Sequence, residues 1–174
     1  MKRVPWIVLL LILNSCSGQM KKLETVSEIE LQKYTGKWYE IARLPNSFEK
    51  GLVCVSANYE LRDDGRIGVT NAGRKENDIS KVKSIHGKAW IPDKSEPGRL
   101  KVRFFWPFSG EYCIFYLDKE HYQYALVGNS SRKFMWVLSR TPQMDESLYL
   151  ELMTIAQENG FATDRLLLVK QDCE

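Results

Sequence analysis

The chain has 174 residues and a mass of 20.2 kDa, of which 44% are hydrophobic, 27% charged and 11% aromatic. That is the size and composition of one folded domain, which excludes a disordered or collagen-like chain. The 25 basic and 22 acidic residues are spread along the sequence and leave a net charge of +3, so no basic stripe asks for nucleic acid. Two histidines, His86 and His121, with no Cys-x-x-Cys pair argue against a structural zinc site. A domain of this length buries roughly 70% of its unfolded surface. It can therefore form a core, or a core with a cavity, and no metal or cofactor is called for.

The chain opens with Lys2 and Arg3 followed by an apolar run, Val4 to Leu13, interrupted only by Pro5. A basic start before a short apolar stretch is the pattern of a secretory signal peptide, and the run is too short to span a bilayer as a helix. Leu13-Asn14-Ser15-Cys16 then resembles the bacterial lipobox. The resemblance implies cleavage after residue 15 and acylation of Cys16 on its sulfur and amine. Several acyl chains hold a protein in a membrane where one chain would not. Ser17 is not the Asp that retains such proteins in the inner membrane, so the expected address is the cell outer membrane, on its periplasmic side. Losing Lys2 and Arg3 with the leader brings the net charge to +1.

Residues 17–35 read as a polar tether with intermittent apolar positions at Leu23, Val26, Ile29 and Leu31. From Gly36 the dominant period is two. Val53, Val55, Ala57, Tyr59 and Leu61 fall on one face and Cys54, Ser56, Asn58 and Glu60 on the other, as in a half-buried antiparallel strand. Asp63-Asp64-Gly65 signals a hairpin turn. Further strands are expected over Gly36–Arg43, Arg66–Arg74, Val82–Ile91, Leu100–Phe104, Tyr112–Leu117, Tyr122–Gly128 and Phe134–Arg140, eight in all with the first. Short, regular spacing of this kind predicts an up-and-down barrel or a sandwich. The period changes after Pro142, where Leu148, Leu152, Ile155 and Ala156 take helical spacing between Met144 and Asn159, and Gly160 closes the helix. Arg165–Gln171 returns to strand.

Gly36-Lys37-Trp38-Tyr39-Glu40-Ile41-Ala42-Arg43 resembles the Gly-x-Trp signature of the lipocalins, in its Trp-Tyr-Glu-Ile-Ala form. About a hundred residues on, Trp136-Val137-Leu138-Ser139-Arg140-Thr141-Pro142 resembles the family's third signature, which ends in an arginine. Tyr124-Ala125-Leu126-Val127 matches the middle signature in part, His121-Tyr122 standing where Thr-Asp is usual. With the lipobox, this form of the motif is similar to the bacterial lipocalins, relatives of apolipoprotein D. The resemblance covers about residues 30–173 and implies an all-β fold. Expected is an eight-stranded up-and-down antiparallel lipocalin barrel with one C-terminal α-helix and a ninth strand. The chain then divides into a leader over 1–15, a lipidated N-terminus and tether over 16–30, and the lipocalin domain over 31–174.

In such a barrel Trp38 and Arg140 meet at the closed floor, where the guanidinium can lie over the indole, worth about 1 to 2 kcal/mol where desolvated. Its other donors can then take carbonyls at the sheet's end. The pair is expected to plug the floor as structure rather than to touch ligand. If the first strand alternates strictly, Glu40 follows Trp38 inward and leaves a carboxylate low in the barrel, open to Arg140 or to a ligand. Counting strand directions from the floor puts residues 44–51, 75–81, 105–111 and 128–133 at the open mouth. The inward faces nominate Val55, Ala57, Tyr59, Gly87, Ala89, Leu100, Val102, Phe104, Trp136 and Leu138 as cavity wall. An eight-stranded barrel holds about one small ligand, and small and apolar walls suit acyl chains. Phe105, Trp106 and Phe108 form an apolar run at the mouth, fit for a membrane, for capping the cavity, or for self-association as a homodimer.

Export implies an oxidising compartment. Cys16 is assigned to lipid. The setting of Cys54 in Gly51-Leu52-Val53-Cys54-Val55-Ser56-Ala57-Asn58-Tyr59 resembles that of the apolipoprotein D cysteine bridged to the C-terminal segment, which implies a Cys54–Cys173 disulfide. Cys113 is then a free thiol, read as a small buried hydrophobe. Two functions compete. One is a non-catalytic lipoprotein that holds a fatty acid, a lysophospholipid or a similar apolar molecule for storage or transport in membrane maintenance. The other is a lipid-modifying enzyme in the same cavity, although no Gly-x-Ser-x-Gly elbow occurs. A purely structural lipoprotein with a filled barrel is the third reading.

Overall fold

The computed structural model describes residues 22–173; the expected leader and Cys16 lie outside them. The described elements are α1 (Leu31–Tyr34), β1 (Gly36–Arg43), β2 (Leu52–Leu61), β3 (Ile67–Lys75), β4 (Asp78–Trp90), β5 (Arg99–Arg103), β6 (Gly110–Leu117), β7 (Tyr124–Gly128), β8 (Met135–Ser139), α2 (Glu146–Glu158), a 3-10 turn (Thr163–Arg165) and β9 (Leu167–Leu168). Each of β2 to β8 pairs antiparallel with its neighbour in sequence, and β1 pairs with both β8 and β2. The sheet therefore closes into an eight-stranded barrel and loses its edges. β9 lies against β1 as the ninth strand.

Period two divides the apolar residues between two cores. The inner one gathers Trp38, Ala57, Tyr59, Ile67, Val69, Ala89, Leu100, Val127 and Leu138 inside the barrel. An outer one joins Ile41, Ala42, Phe115, Leu126, Met135 and Val137 to Leu152 and Ala156 of α2. That helix starts where the Asp145 carboxylate accepts from the Ser147 and Leu148 amides, a cap worth about 1 kcal/mol. It stops at Gly160, whose φ of +84° ends the helical turn, and Phe161 then stacks on Phe115 at 4.8 Å.

Several boundaries differ from expectation. The described part of the expected tether runs along the wall: Leu23 is fully buried, and the Val26 amide donates to the Ile114 carbonyl at 2.9 Å. Its apolar positions were too sparse to signal packing. α1 was not foreseen because four residues carry no period. β4 begins at Asp78, four residues earlier than its apolar pattern, so the expected loop over 75–81 shrinks to a two-residue turn. β7 begins at Tyr124 because Tyr122 takes a φ of +55° in the preceding turn. β9 spans two residues, since the 3-10 turn uses the start of the segment expected as strand.

The register shifts in four strand pairs, and two of these irregularities, in β1 and β2, re-aim side chains near the cavity. In β1 the register with β8 slips between Glu40 and Ala42. Ile41 and Ala42 both join the outer core, and Arg43 turns inward with Glu40. In β2 the slip falls between Val53 and Ser56, where Cys54 has a φ of +50°.

Candidate functional site

The floor is closed by packing. Arg140 lies over the Trp38 ring, 3.9 Å from its centroid, and donates to the carbonyls of Lys33, Lys37 and Tyr122 at 2.7, 2.9 and 3.1 Å. The Trp38 indole N–H donates to the Tyr34 carbonyl at 2.8 Å, which ties α1 across the barrel's end. Gly36, with a φ of +89°, makes the sharp turn from α1 into β1, and a Cβ there would stand 3.4 Å from the Arg140 guanidinium.

Above the floor is a cavity of about 680 Å³. Its wall includes Val55, Ala57, Tyr59, Ala89, Leu100, Val102, Phe104, Trp136 and Leu138. Gly87, expected on the wall, does not line it: a Cβ at Gly87 would stand 2.7 Å from the Phe104 ring, so the glycine seats that ring against the wall. At the mouth Phe105 and Phe108 line the cavity, whereas Trp106 does not and is 82% exposed. The wall also holds residues that were not foreseen. Ile67, Val69 and Asn71 of β3 follow the same alternation and could have been read from it. Tyr34, Phe48 and Glu49 come from α1 and a loop, where no period exists to find them.

Glu40 reaches the cavity wall but does not meet Arg140. It accepts from Arg43 Nη1 at 2.7 Å, both side chains being buried, because the bulge at Ile41 places positions 40 and 43 on one side. Arg43 Nη2 also donates to the carbonyls of Glu49 and Leu52, folding the loop over 44–51 back onto the wall. The Glu49 carboxylate accepts from Trp136 Nε1 at 3.1 Å and from Asn46 Nδ2 at 2.6 Å. Desolvation first, then the neighbouring Glu49 carboxylate, outweigh the guanidinium and push the Glu40 carboxyl up to about 8.

Lower in the cavity, the hydroxyl of Tyr112 lies 2.8 Å from those of Tyr34 and Tyr59. Burial pushes the Tyr59 phenol up to about 12, and those of Tyr34 and Tyr112 well above the ordinary value. All three are neutral.

Cys54 and Cys173 are disulfide-bonded, with their Cα atoms 6.2 Å apart. The bridge straps the C-terminal segment across β1 and β2, where Gln171 Nε2 donates to the carbonyls of Glu40 and Val55 and the Cys54 amide donates to Lys170. Cys113 is a free, buried thiol in the outer core, outside the cavity, and accepts from Arg99 Nη1 at 3.1 Å. Burial pushes it up to about 11, which keeps it protonated and un-nucleophilic. His86 meets Thr70 on the exposed face of β4, and His121 lies exposed in a floor turn. No group of side chains that could hold a metal occurs among the described residues.

A closed antiparallel barrel, plugged at one end and enclosing a mostly apolar cavity that opens at the other, is the architecture of a carrier for small hydrophobic molecules. Residues 29–171 match the model of the Lipocalin-like domain. The outer membrane lipoprotein Blc of Vibrio cholerae is 42% identical over 171 residues, covering 98% of this chain and 99% of that protein. Bovine apolipoprotein D is 33% identical over 150 residues, covering 82% and 77%. Insecticyanin from the tobacco hornworm Manduca sexta superposes with a TM-score of 0.69 at 18% identity, covering 88% of this chain and 86% of that one, which shows the shared fold. The chain belongs to the lipocalin family, whose members bind small hydrophobic ligands.

Proposed function

We propose that this lipocalin is an outer-membrane lipoprotein, anchored through Cys16 and facing the periplasm, that holds a fatty acid, a lysophospholipid or a similar single-chain lipid for storage or transport in membrane maintenance. The observation that carries the reading is the cavity. Its volume of about 680 Å³ falls within the usual range for small-molecule sites and its walls are mostly apolar side chains of β2 to β6 and β8. The relatives named outer membrane lipoprotein support the address, as does the lipobox resemblance at Leu13 to Cys16.

The mouth supports a route for the lipid. Phe105, Trp106 and Phe108 are 69%, 82% and 79% exposed, and Phe48, Ile79 and Val82 stand exposed around the same opening. Apolar side chains clustered in water mark a contact surface, and Trp suits a lipid–water interface. Lys75, Lys81 and Lys83 at that end match the charge of anionic headgroups. The anchor is tested by feeding cells labelled palmitate: the parent should carry label and Cys16→Ala none. Equal labelling of the two would contradict it.

A further inference from the structure

The three tyrosines at the bottom of the cavity contain an imbalance. Each phenol donates one proton. The chain Tyr34–Tyr112–Tyr59 holds two hydrogen bonds, and no other side-chain or backbone partner of these hydroxyls occurs among the described residues. However the protons are arranged, two are used within the chain and one O–H is left to donate elsewhere. All three side chains line the cavity. A buried donor without an acceptor costs about 1 to 3 kcal/mol, so the site favours whatever brings it an acceptor.

We propose that the cavity floor is a hydrogen-bond donor site for a neutral acceptor, a ketone, ester or hydroxyl oxygen, carried at the buried end of the ligand. The inference rests on the cavity being a ligand site, and it adds which end of the ligand goes down. The surroundings argue for a neutral acceptor rather than a carboxylate. The triad offers one proton. The nearest cation, Arg140, is held behind the Trp38 ring by three backbone carbonyls. Glu40 and Glu49 share the cavity with a single guanidinium, that of Arg43. A ligand carboxylate at the floor would be desolvated with one neutral donor, in a cavity whose wall already holds the Glu49 carboxylate. At the mouth it would meet Lys83 and water. A lipid with a plain methyl terminus leaves the floor O–H unpaired, whereas one with an inner carbonyl or hydroxyl satisfies it.

The test compares a long-chain methyl ketone with the n-alkane of equal length. Relative to the alkane, the ketone should bind the parent about three- to tenfold more tightly than it binds a protein without the floor hydroxyls, as expected for one neutral hydrogen bond. Its carbonyl stretch in the bound state should move to lower wavenumber than in hydrocarbon solvent. In the triple variant Tyr34→Phe, Tyr59→Phe, Tyr112→Phe the preference and the band shift should both vanish. Removing all three hydroxyls leaves no polar group stranded, so the fold should survive, as circular dichroism would report. Tyr112→Phe alone strands two O–H groups and should keep or increase the preference for ketone, which decides the matter if the triple variant fails to fold. The same ketone-to-alkane affinity ratio in the parent and in the triple variant, with an unshifted carbonyl band in the parent, would overturn the donor site while leaving the cavity reading intact. Failure of both probes to bind would overturn the cavity reading as well.

Discussion

The two ends of this barrel use aromatic side chains in opposite ways. At the floor Trp38 is fully buried, with its face under Arg140 and its N–H on the Tyr34 carbonyl, and every contact serves closure. At the mouth Phe105, Trp106 and Phe108 stand mostly in water. The same strands connect both ends, so strand propensity does not explain the contrast. α1 and the Arg140 donors cover the floor, and among the described residues no such cover lies over the mouth. An apolar group kept in water forgoes roughly 25 cal/mol per Å² of burial, so the exposed aromatic run at the mouth adds little to stability, and the proposed lipid route is what would account for it.

The largest effect should come from the covalent strap near the mouth end of β2. Cys54→Ser or Cys173→Ser opens a link across a sequence separation of 119 residues, worth about 4 to 5 kcal/mol in the chain-entropy model. Denaturant unfolding of the variant measures it. A change under about 1 kcal/mol would show that the mouth end does not depend on the strap.

The buried carboxyl between the two ends gives the fold a pH dependence. Glu40 has an ordinary value of 4.5 and is pushed up to about 8, so the folded state holds its proton more tightly than the unfolded state. Its stabilising contribution is complete below about pH 4.5 and is lost as pH rises through about 8. Glu40→Gln keeps the shape without the ionisation and should flatten the fall in melting temperature across that window. An unchanged slope would mean that Glu40 is ionised in the fold.

The sharpest contrast comes from one variant at each end. Arg140→Ala strips the cation from the Trp38 indole and leaves three carbonyls without a donor, an expected loss of about 1 to 3 kcal/mol with ligand affinity unchanged. Trp106→Ser with Phe108→Ser should alter stability by less than about 0.5 kcal/mol yet slow delivery of a fluorescent fatty acid from vesicles to the lipid-free domain. If the floor variant instead melts like the parent and loses ligand, the floor belongs to the site. If the mouth variant delivers at the parent's rate with unchanged oligomer size, its aromatic run serves neither lipid passage nor self-association.

Much of this was legible in the chain because a barrel imposes period two on eight strands, and the nine cavity residues found on the wall follow it. The floor was legible for a different reason: Trp38 and Arg140 lie in two matched motifs whose strands run to the same end. What escaped lay where the period breaks. The bulge at Ile41 turned Arg43 inward, and no residue there announces it, so Glu40 found a partner that strict alternation had placed outside. Gly87 faces the interior as alternation requires, but the Phe104 ring fills the space its missing side chain leaves. Tyr34 and Glu49 reach the cavity from a single helical turn and a loop, so their position depends on tertiary structure alone.

The central claim is that the cavity carries a single-chain lipid, and native mass spectrometry of the protein extracted from membranes tests it most directly. The account predicts a bound lipid mass on the folded protein that is released on unfolding, and its reappearance when the stripped protein is incubated with lysophospholipid or fatty acid. A spectrum of bare protein both before and after that incubation would contradict it.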